Sequence, residues 1–161
     1  MKPVLLVSAC LMGRLVKYNG KLVPVHDRLK ALAEEGLVLS FCPEVVGGLS
    51  VPRPPAEITG GDGRTVLEGR ARVIRKDGRD VTENFITGAE QAWAEAKRWG
   101  LTVALLKDGS PACGSTRIYD GTFSGTSIPG FGVAAALLKS KGLRILTENH
   151  IETLTEFRDY P

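Results

Sequence analysis

The chain alternates short, almost wholly apolar runs with segments whose apolar residues recur every three or four positions. The apolar runs cover residues 3–8, 37–41, 101–106 and 143–147. Because polar residues hardly interrupt them, each run predicts a strand that is buried on both faces. A further run, residues 68–76, alternates polar and apolar positions and predicts an edge or half-exposed strand.

Helical periodicity fills most of the gaps between these strands. Residues 26–35 predict a helix that ends at Gly36, and the longest periodic segment predicts a helix over residues 80–100. Asp80 and Glu83 have the spacing of an N-cap and its capping-box partner. Two further helices are predicted over residues 132–142 and 150–159.

The order of these elements predicts the fold class. Strands alternate with helices, and the strands are nearly all apolar, which favours a parallel sheet covered on both faces. We therefore expect an α/β fold, a Rossmann-like three-layer domain with a mainly parallel sheet. The Pro- and Gly-rich stretch over residues 43–63 is expected to stay irregular for most of its length, and such a segment is more often functional than idle.

Composition and charge exclude several classes of protein. The chain has 161 residues, 43% of them hydrophobic, and a net charge of +3. Only 6% are aromatic, so no stacking platform for nucleic acid is evident. No apolar stretch approaches the roughly 20 residues of a membrane span, and the first ten residues are too short for a signal-peptide core. We expect a cytoplasmic protein without nucleic-acid or membrane partners, with a monomer favoured.

The chain has three cysteines, and each follows a predicted buried strand. They are Cys10, Cys42 and Cys113. Because the carboxyl ends of parallel strands meet at one edge, where such folds bind ligands, we expect the three thiols to converge. A single free cysteine is usually inert packing, and Cys10 and Cys42 fit that interpretation. Cys113 does not, because it lies in a Ser-Pro-Ala-Cys-Gly turn.

Thiolate chemistry leaves more than one kind of centre open. Structural zinc normally takes four ligands in closely spaced pairs, which this chain lacks. A catalytic zinc with three cysteines and an open position is conceivable. An iron–sulfur cluster held by three cysteines would leave one iron open as a Lewis acid. The spacing alone indicates a metal or redox site and does not choose between these alternatives.

Several longer motifs resemble the thiouracil desulfurase family. The resemblance covers almost the whole chain, and the pairing of CPEVVGGL with SPACG is specific. The chain departs from the family at Ala112, where serine is frequent, and at Lys17, where arginine is common. The motifs are SACLMG with KYNG (8–20), FCPEVVGGLSVPRPP (41–55), GRDVTENF (78–85), LLKDGSPACGSTRIYDGTFSG (105–125) and GFGVAAALL (130–138).

The resemblance implies a cofactor, a reaction and two assisting residues. A 4Fe–4S cluster would be bound by Cys10, Cys42 and Cys113, with its open iron free to take the sulfur of a thiolated pyrimidine such as 2-thiouracil. The C–S bond would be hydrolysed to C=O without redox change, and the sulfur would leave as hydrosulfide. Glu44 and Ser110 would assist water attack and proton transfer. Residues 1–161 would form a single desulfurase-like domain whose partner is a small-molecule thiolated nucleobase.

Other interpretations of the same residues stay open. Glu44 has a local interpretation as a carboxylate that caps a backbone amide, and Ser110 as the start of a turn before Pro111. The protein could instead be a non-catalytic metal- or iron–sulfur-binding accessory protein, such as a sulfur carrier or sensor. It could also be a cluster-free α/β nucleotide-binding module whose cysteines only pack.

The remaining polar residues carry weaker signals. Arg53 and Glu57 could line a pocket, although solvated loop charges are the favoured interpretation. The Gly-rich segment 122–132 lacks a P-loop lysine and the dinucleotide-binding spacing, so it is interpreted as a wall of the site. His26 is interpreted as a helix-start residue and His150 as a surface residue, neither with a carboxylate partner.

Overall fold

The structure, a computed structural model, describes residues 2–159 of the chain. No helix in this range is both long and apolar enough to cross a membrane. Two 3₁₀ segments lie at Ala9–Met12 and Glu148–Asp159. The helices and strands follow in the order β1 (Leu5–Ser8), α1 (Asp27–Glu34), β2 (Val38–Phe41), α2 (Pro43–Val46), β3 (Ala56–Thr59), α3 (Gly63–Leu67), β4 (Arg72–Arg75), α4 (Thr82–Trp99), β5 (Val103–Leu106), β6 (Arg117–Tyr119), β7 (Ser127–Pro129), α5 (Val133–Ser140) and β8 (Arg144–Thr147).

Four strands form a parallel sheet in the spatial order β2–β1–β5–β8. Leu6 of β1 lies between Leu39 of β2 and Ala104 of β5, and Leu105 pairs with Leu146 of β8. The two central strands, β1 and β5, are buried along their whole length. These are the four strands that the apolar runs predicted, each shortened by one or two residues.

The sheet separates two apolar cores, because successive side chains of a strand point to opposite faces. Leu6 and Ala104 pack with helices α4 and α5 on one face. Leu5 and Leu105 pack with α1 and with Ile151 of the C-terminal 3₁₀ segment on the other. The result is three layers, and the predicted Rossmann-like α/β class with a mainly parallel sheet is confirmed.

The strand order places a crevice at one edge of the sheet. From β1 the chain moves to one side to form β2, and then it returns to the other side of β1 to form β5. The connections leaving β1 and β5 therefore diverge, which opens a crevice beyond their carboxyl ends. This is the edge at which the sequence predicted that the three cysteines would meet.

The stretch from residue 43 to residue 63 holds more regular structure than its composition predicted. Helix α2 begins at Pro43, whose fixed φ suits the first position of a helix. Strand β3 pairs antiparallel with β4, and α3 follows an N-cap by Asp62. A second antiparallel pair, β6 with β7, was not predicted either. Proline restricts the backbone near its own position and does not affect residues farther along the chain, so short elements fit between the prolines.

The predicted capping box at Asp80 and Glu83 is wrong. The Asp80 carboxylate accepts the backbone N–H of Thr82 at 2.9 Å and its hydroxyl at 2.6 Å, and α4 begins there. Asp80 also pairs with Arg72 of β4 at 2.8 Å, so it joins the hairpin to the helix instead of capping it with Glu83. The helix itself is confirmed, and it ends at Gly100 with φ of 66°, as predicted.

Candidate active site

A cavity of about 420 Å³ lies at the carboxyl edge of the sheet, where the chain leaves β1, β2 and β5. Its lining includes Cys10, Cys42 and Cys113, together with Glu44 and Ser110. The structure therefore brings all five sequence-predicted site residues to one place.

The three thiols are free, and burial governs their chemistry. Burial raises the pKa of the Cys10 thiol to about 11, and the neighbouring Cys42 adds to the shift. Burial also raises the pKa of Cys42 and lifts that of Cys113 well above its usual range. The thiols are thus protonated at neutral pH in the metal-free chain, and a metal centre would displace those protons on binding.

The three thiols suit an iron–sulfur centre by their number and their donor chemistry. The three sulfur atoms lie near one another, because Cys10 and Cys42 both act to raise the pKa of the Cys113 thiol. One tetrahedral zinc with thiolates at about 2.3 Å would bring the sulfur atoms within about 4 Å of one another. In an iron–sulfur cluster each thiolate binds a different iron, so one group accepts three thiolates without placing them on a single ion. The chain has no fourth cysteine, which fits a cluster with one open iron.

Two glycines set the position of helix α2, which carries Glu44. A Cβ atom at Gly88 of α4 would lie 1.9 Å from the Pro43 carbonyl oxygen. A Cβ atom at Gly47 would lie 2.1 Å from the Asn84 carbonyl oxygen, and the Asn84 side chain donates to the Gly47 carbonyl at 2.9 Å. Since only glycine fits at both positions, α2 rests directly on the α4 backbone, and Glu44 enters the cavity from a fixed direction.

Glu44 is half-buried, pairs with Arg53 and lies near the other predicted assisting residue, Ser110. Nε and Nη2 of Arg53 both lie 3.3 Å from its Oε1, and the Ser110 side chain lies near enough to lower the pKa of the carboxyl. Burial raises the pKa of the Glu44 carboxyl, while Arg53 and Ser110 oppose that rise. Glu44 and Ser110 come from loops after different strands, so their proximity depends on the folded sheet.

Ser110 makes the local contact that its sequence position suggested, and it also lies near Glu44. Its hydroxyl oxygen accepts the backbone N–H of Ala112 at 3.0 Å and that of Cys113 at 3.1 Å. The hydroxyl proton is then available for Glu44. The turn interpretation and the functional interpretation therefore describe the same side chain.

Asp108, which the sequence did not single out, organises the loop that carries Cys113. It is 7% exposed, and its Oδ1 accepts the backbone N–H of Gly109 at 3.0 Å, Ser115 at 3.0 Å and Thr116 at 3.1 Å. The Thr116 hydroxyl donates to its Oδ2. Burial acts to raise the pKa of Asp108, but these hydrogen bonds outweigh it and hold the pKa at about 2. Only the Asp-Gly pair after a strand hinted at this turn.

The interpretation of Arg53 and Glu57 as solvated charges is wrong. Their exposed fractions are 7% and 8%, and both line the cavity. Arg53 donates to the carbonyl oxygens of Val16 and Ser50, each at 3.0 Å, in addition to its pairing with Glu44. Its guanidinium therefore joins two loops while it holds the carboxylate.

The Gly-rich segment forms one wall of the cavity, as predicted. Phe123 and Gly125 contribute to the lining. Glu57 fixes this wall, because its Oε1 accepts the backbone N–H of Gly121 at 2.9 Å and that of Phe123 at 3.1 Å. The two histidines that the sequence offered do not line the cavity.

The histidines have structural contacts. His26 begins α1, and its Nδ1 accepts the Arg28 N–H at 3.2 Å, as predicted. Its Nε2 lies 2.9 Å from a carboxylate oxygen of Glu152, so the expectation of no carboxylate partner is wrong for this residue. His150 is exposed, and its Nδ1 accepts the Thr147 N–H at 3.0 Å.

Comparison with known proteins identifies the family of this chain. The Bacillus subtilis (strain 168) protein YbbK is 44% identical over 151 residues, which cover 94% of this chain and 99% of that protein. A solved structure named 4Fe–4S-dependent thiouracil desulfidase TudS matches with a TM-score of 0.85 and 43% identity over 98% of both chains. The profile of the 2-thiouracil desulfurase family matches residues 5–150. This chain belongs to the 2-thiouracil desulfurase family.

Proposed function

We propose that this protein catalyses the non-redox desulfuration of a thiolated pyrimidine such as 2-thiouracil, giving uracil and hydrosulfide. Water supplies an oxygen to the ring carbon, the C–S bond breaks, and the sulfur leaves as hydrosulfide without any transfer of electrons to or from an external partner. The observation that carries this proposal is the meeting of three thiols with the Glu44–Ser110 pair at one cavity. The similar structure, TudS, is a thiouracil desulfidase, which supports the same reaction.

The proposed cofactor is a 4Fe–4S cluster held by Cys10, Cys42 and Cys113. The similar structure TudS is named as dependent on such a cluster, and the donor set here fits one. When bound, the cluster would supply an iron with an open position that polarises the thione carbon as a Lewis acid. The charges of Lys107 and Lys17 act against the burial-driven rise in the Cys10 pKa, which favours the thiolate form that iron requires.

Glu44 is the proposed proton acceptor. A carboxylate is a good general base when its proton affinity approaches the working pH, and burial moves Glu44 in that direction. In the proposed reaction Glu44 takes a proton from the attacking water. The Ser110 hydroxyl, which lies near the same carboxylate, relays the proton toward the ring.

Arg53 limits how far Glu44 can move. Its guanidinium is anchored by the carbonyl oxygens of Val16 and Ser50, and its side chain is only 3% exposed. A cation fixed in this way keeps the carboxylate in one orientation and partly ionised. The Glu44 side chain is therefore already held in one conformation in the cavity. Less conformational entropy is lost when the proposed reaction occurs, which lowers its activation free energy.

The direct test is anaerobic purification followed by cluster reconstitution. Iron and acid-labile sulfide are measured first, and the expected result is equal amounts of the two. The loaded protein is then given 2-thiouracil and, separately, 4-thiouracil, while uracil and hydrosulfide are quantified. We expect equimolar formation of both products from at least one substrate. A loaded protein that releases no hydrosulfide from either would contradict desulfuration and favour a cluster-binding accessory or sulfur-carrier role.

A further inference from the structure

We propose that Glu57 and Phe123 recognise the pyrimidine ring, with Glu57 accepting a ring N–H and Phe123 packing on the ring face. We call these two residues the ring wall. The inference rests on the proposed function for its substrate class. Neither residue belongs to the segments that carry the three cysteines, Glu44 or Ser110.

Strand β3 presents Glu57 to the cavity. Side chains alternate along a strand, and Ile58 enters the apolar core on one face while Glu57 takes the other and lines the cavity. At 8% exposure, a carboxylate normally has a cationic partner. In the described part of the chain Glu57 makes no salt bridge, and its two recorded donors are backbone amides.

The two amide contacts leave half of the carboxylate available. Gly121 and Phe123 both donate to Oε1, at 2.9 Å and 3.1 Å. A carboxylate has about four acceptor positions on its two oxygens, so Oε2 retains its capacity for a donor. Because the residue lines the cavity, we infer that this donor belongs to the bound ligand.

Phe123 is held in an unusual backbone conformation beside that carboxylate. Its φ is 56°, and it is the one non-glycine residue with positive φ in the described range. Such a conformation costs free energy for a residue with a bulky side chain, and it persists only where neighbouring contacts impose it. The Glu57 carboxylate supplies one such contact through the Phe123 N–H. The result is an aromatic ring held in the cavity lining.

The two side chains match the chemistry of a pyrimidine ring. Thiouracils are flat, with apolar faces and N–H donors on the ring edge. An aromatic ring favours contact with such a face, and an anionic acceptor favours the N–H edge. A site built around a substrate N–H rejects analogues that lack it, because the buried acceptor is then left unpaired. The ring wall therefore predicts selection for a pyrimidine with a free ring N–H.

Glu57→Gln tests this with the loop held in place. The glutamine carbonyl can still accept both backbone amides, but its NH₂ replaces the second acceptor by a donor. Uracil, 1-methyluracil and 3-methyluracil serve as probes, and their Kd values for the cluster-loaded protein are measured by isothermal titration calorimetry. Uracil contains no sulfur, so this readout needs no turnover.

The expected result is a selective loss of affinity. Wild type should bind uracil more tightly than at least one methyl derivative. Glu57→Gln should weaken uracil binding by about 10- to 100-fold, while the derivative that cannot donate changes by less than about threefold. Phe123→Leu has the same backbone requirement as wild type, so it should weaken all three ligands about equally.

Two outcomes would overturn the inference. One is a Glu57→Gln protein that keeps the wild-type discrimination between uracil and its methyl derivatives. The other is equal or undetectable binding of all three probes by the wild type. Failure of the proposed function would be seen in a different measurement, because no hydrosulfide would form from thiouracils. That result does not depend on whether the ring wall discriminates between uracil and its methyl derivatives.

Discussion

The segment after β2 (residues 42–53) and the loop after β5 (residues 107–116) each bring a cysteine and a carboxylate to the same cavity, but they hold the carboxylate in opposite ways. Asp108 is surrounded by backbone amides and a hydroxyl, and its pKa is about 2. Glu44 meets one guanidinium and one hydroxyl, and burial raises its pKa.

The difference assigns separate tasks to the two acids. The acceptor positions of Asp108 are filled by donors of its own loop, so it stays ionised and holds the loop together. Glu44 retains acceptor capacity and a higher proton affinity, which suit proton transfer. Similar side chains on neighbouring loops thus hold a loop together in one case and suit the proposed proton transfer in the other.

The largest effect should come from removing one thiol from either loop. Cys42→Ser and Cys113→Ser should each lose the cluster iron, and desulfuration should fall to background, because each thiolate would bind a different iron. Iron, acid-labile sulfide and hydrosulfide release are the measurements. Ala112→Ser places a serine beside Cys113 without removing a ligand, and it should keep its iron. A Cys113→Ser protein with full iron and full turnover would contradict the ligand assignment.

The next largest effect should separate Glu44 from the cluster ligands. Glu44→Gln removes the proton acceptor and should lower kcat by about 10²- to 10⁴-fold. Its iron content should match wild type, because no ligand is changed. Glu90→Gln, on the exposed side of α4, is the matched control and should leave kcat unchanged. Wild-type kcat in Glu44→Gln would show that the carboxylate takes no part in the reaction.

Asp108→Asn should show the reverse pattern, with stability affected more than chemistry. Asparagine has a single acceptor oxygen, and its NH₂ would face donors of the loop. We expect the free energy of unfolding to fall by about 2–3 kcal/mol. Urea unfolding of the metal-free proteins measures this without interference from the cluster. Equal stability of the two proteins would contradict the architectural role of Asp108.

The smallest effect is the pH dependence of the contribution that Asp108 makes to the free energy of unfolding. Because the folded pKa of Asp108, about 2, lies below the ordinary value of 3.8, its ionised form stabilises the fold at pH above 3.8. The contribution is lost as the pH falls through about 2, and it amounts to about 2 kcal/mol. The stability difference between wild type and Asp108→Asn should therefore shrink from about pH 5 to about pH 2. A difference that stays constant over this range would exclude Asp108 titration as its source.

The sequence was most informative for residues that directly follow a buried strand, because the apolar pattern locates the strand and the sheet topology then locates the residue. Both faces of strands β1 and β5 are covered, so every position is buried, and all of them except Ser8 are apolar. Their positions in turn located Cys10 and Cys113, since parallel strands align their carboxyl ends. These features follow from the apolar pattern of the sequence and from the rule that parallel strands end at the same edge of a sheet. Both can be applied to a single sequence.

Burial of individual charged residues could not be obtained in the same way. Arg53 is buried by partners as distant in sequence as Val16, and Glu57 by amides of residues 121 and 123. A charged residue in a Pro-rich loop is usually solvated, and nothing local distinguishes these two. The requirement for glycine at position 88 could not be predicted either. It arises because α2 packs against α4 there and leaves no room for a Cβ atom.

The origin of the three thiols in three separate loops has a consequence for the life of the protein. Residues 10, 42 and 113 meet only after β1, β2 and β5 have paired, so the unfolded chain offers no such ligand set. A group that binds all three cross-links most of the chain, and it adds to stability in proportion to the logarithm of its supply. Resistance to proteolysis should therefore follow the availability of iron, and an iron-starved cell would clear this protein sooner than a replete one.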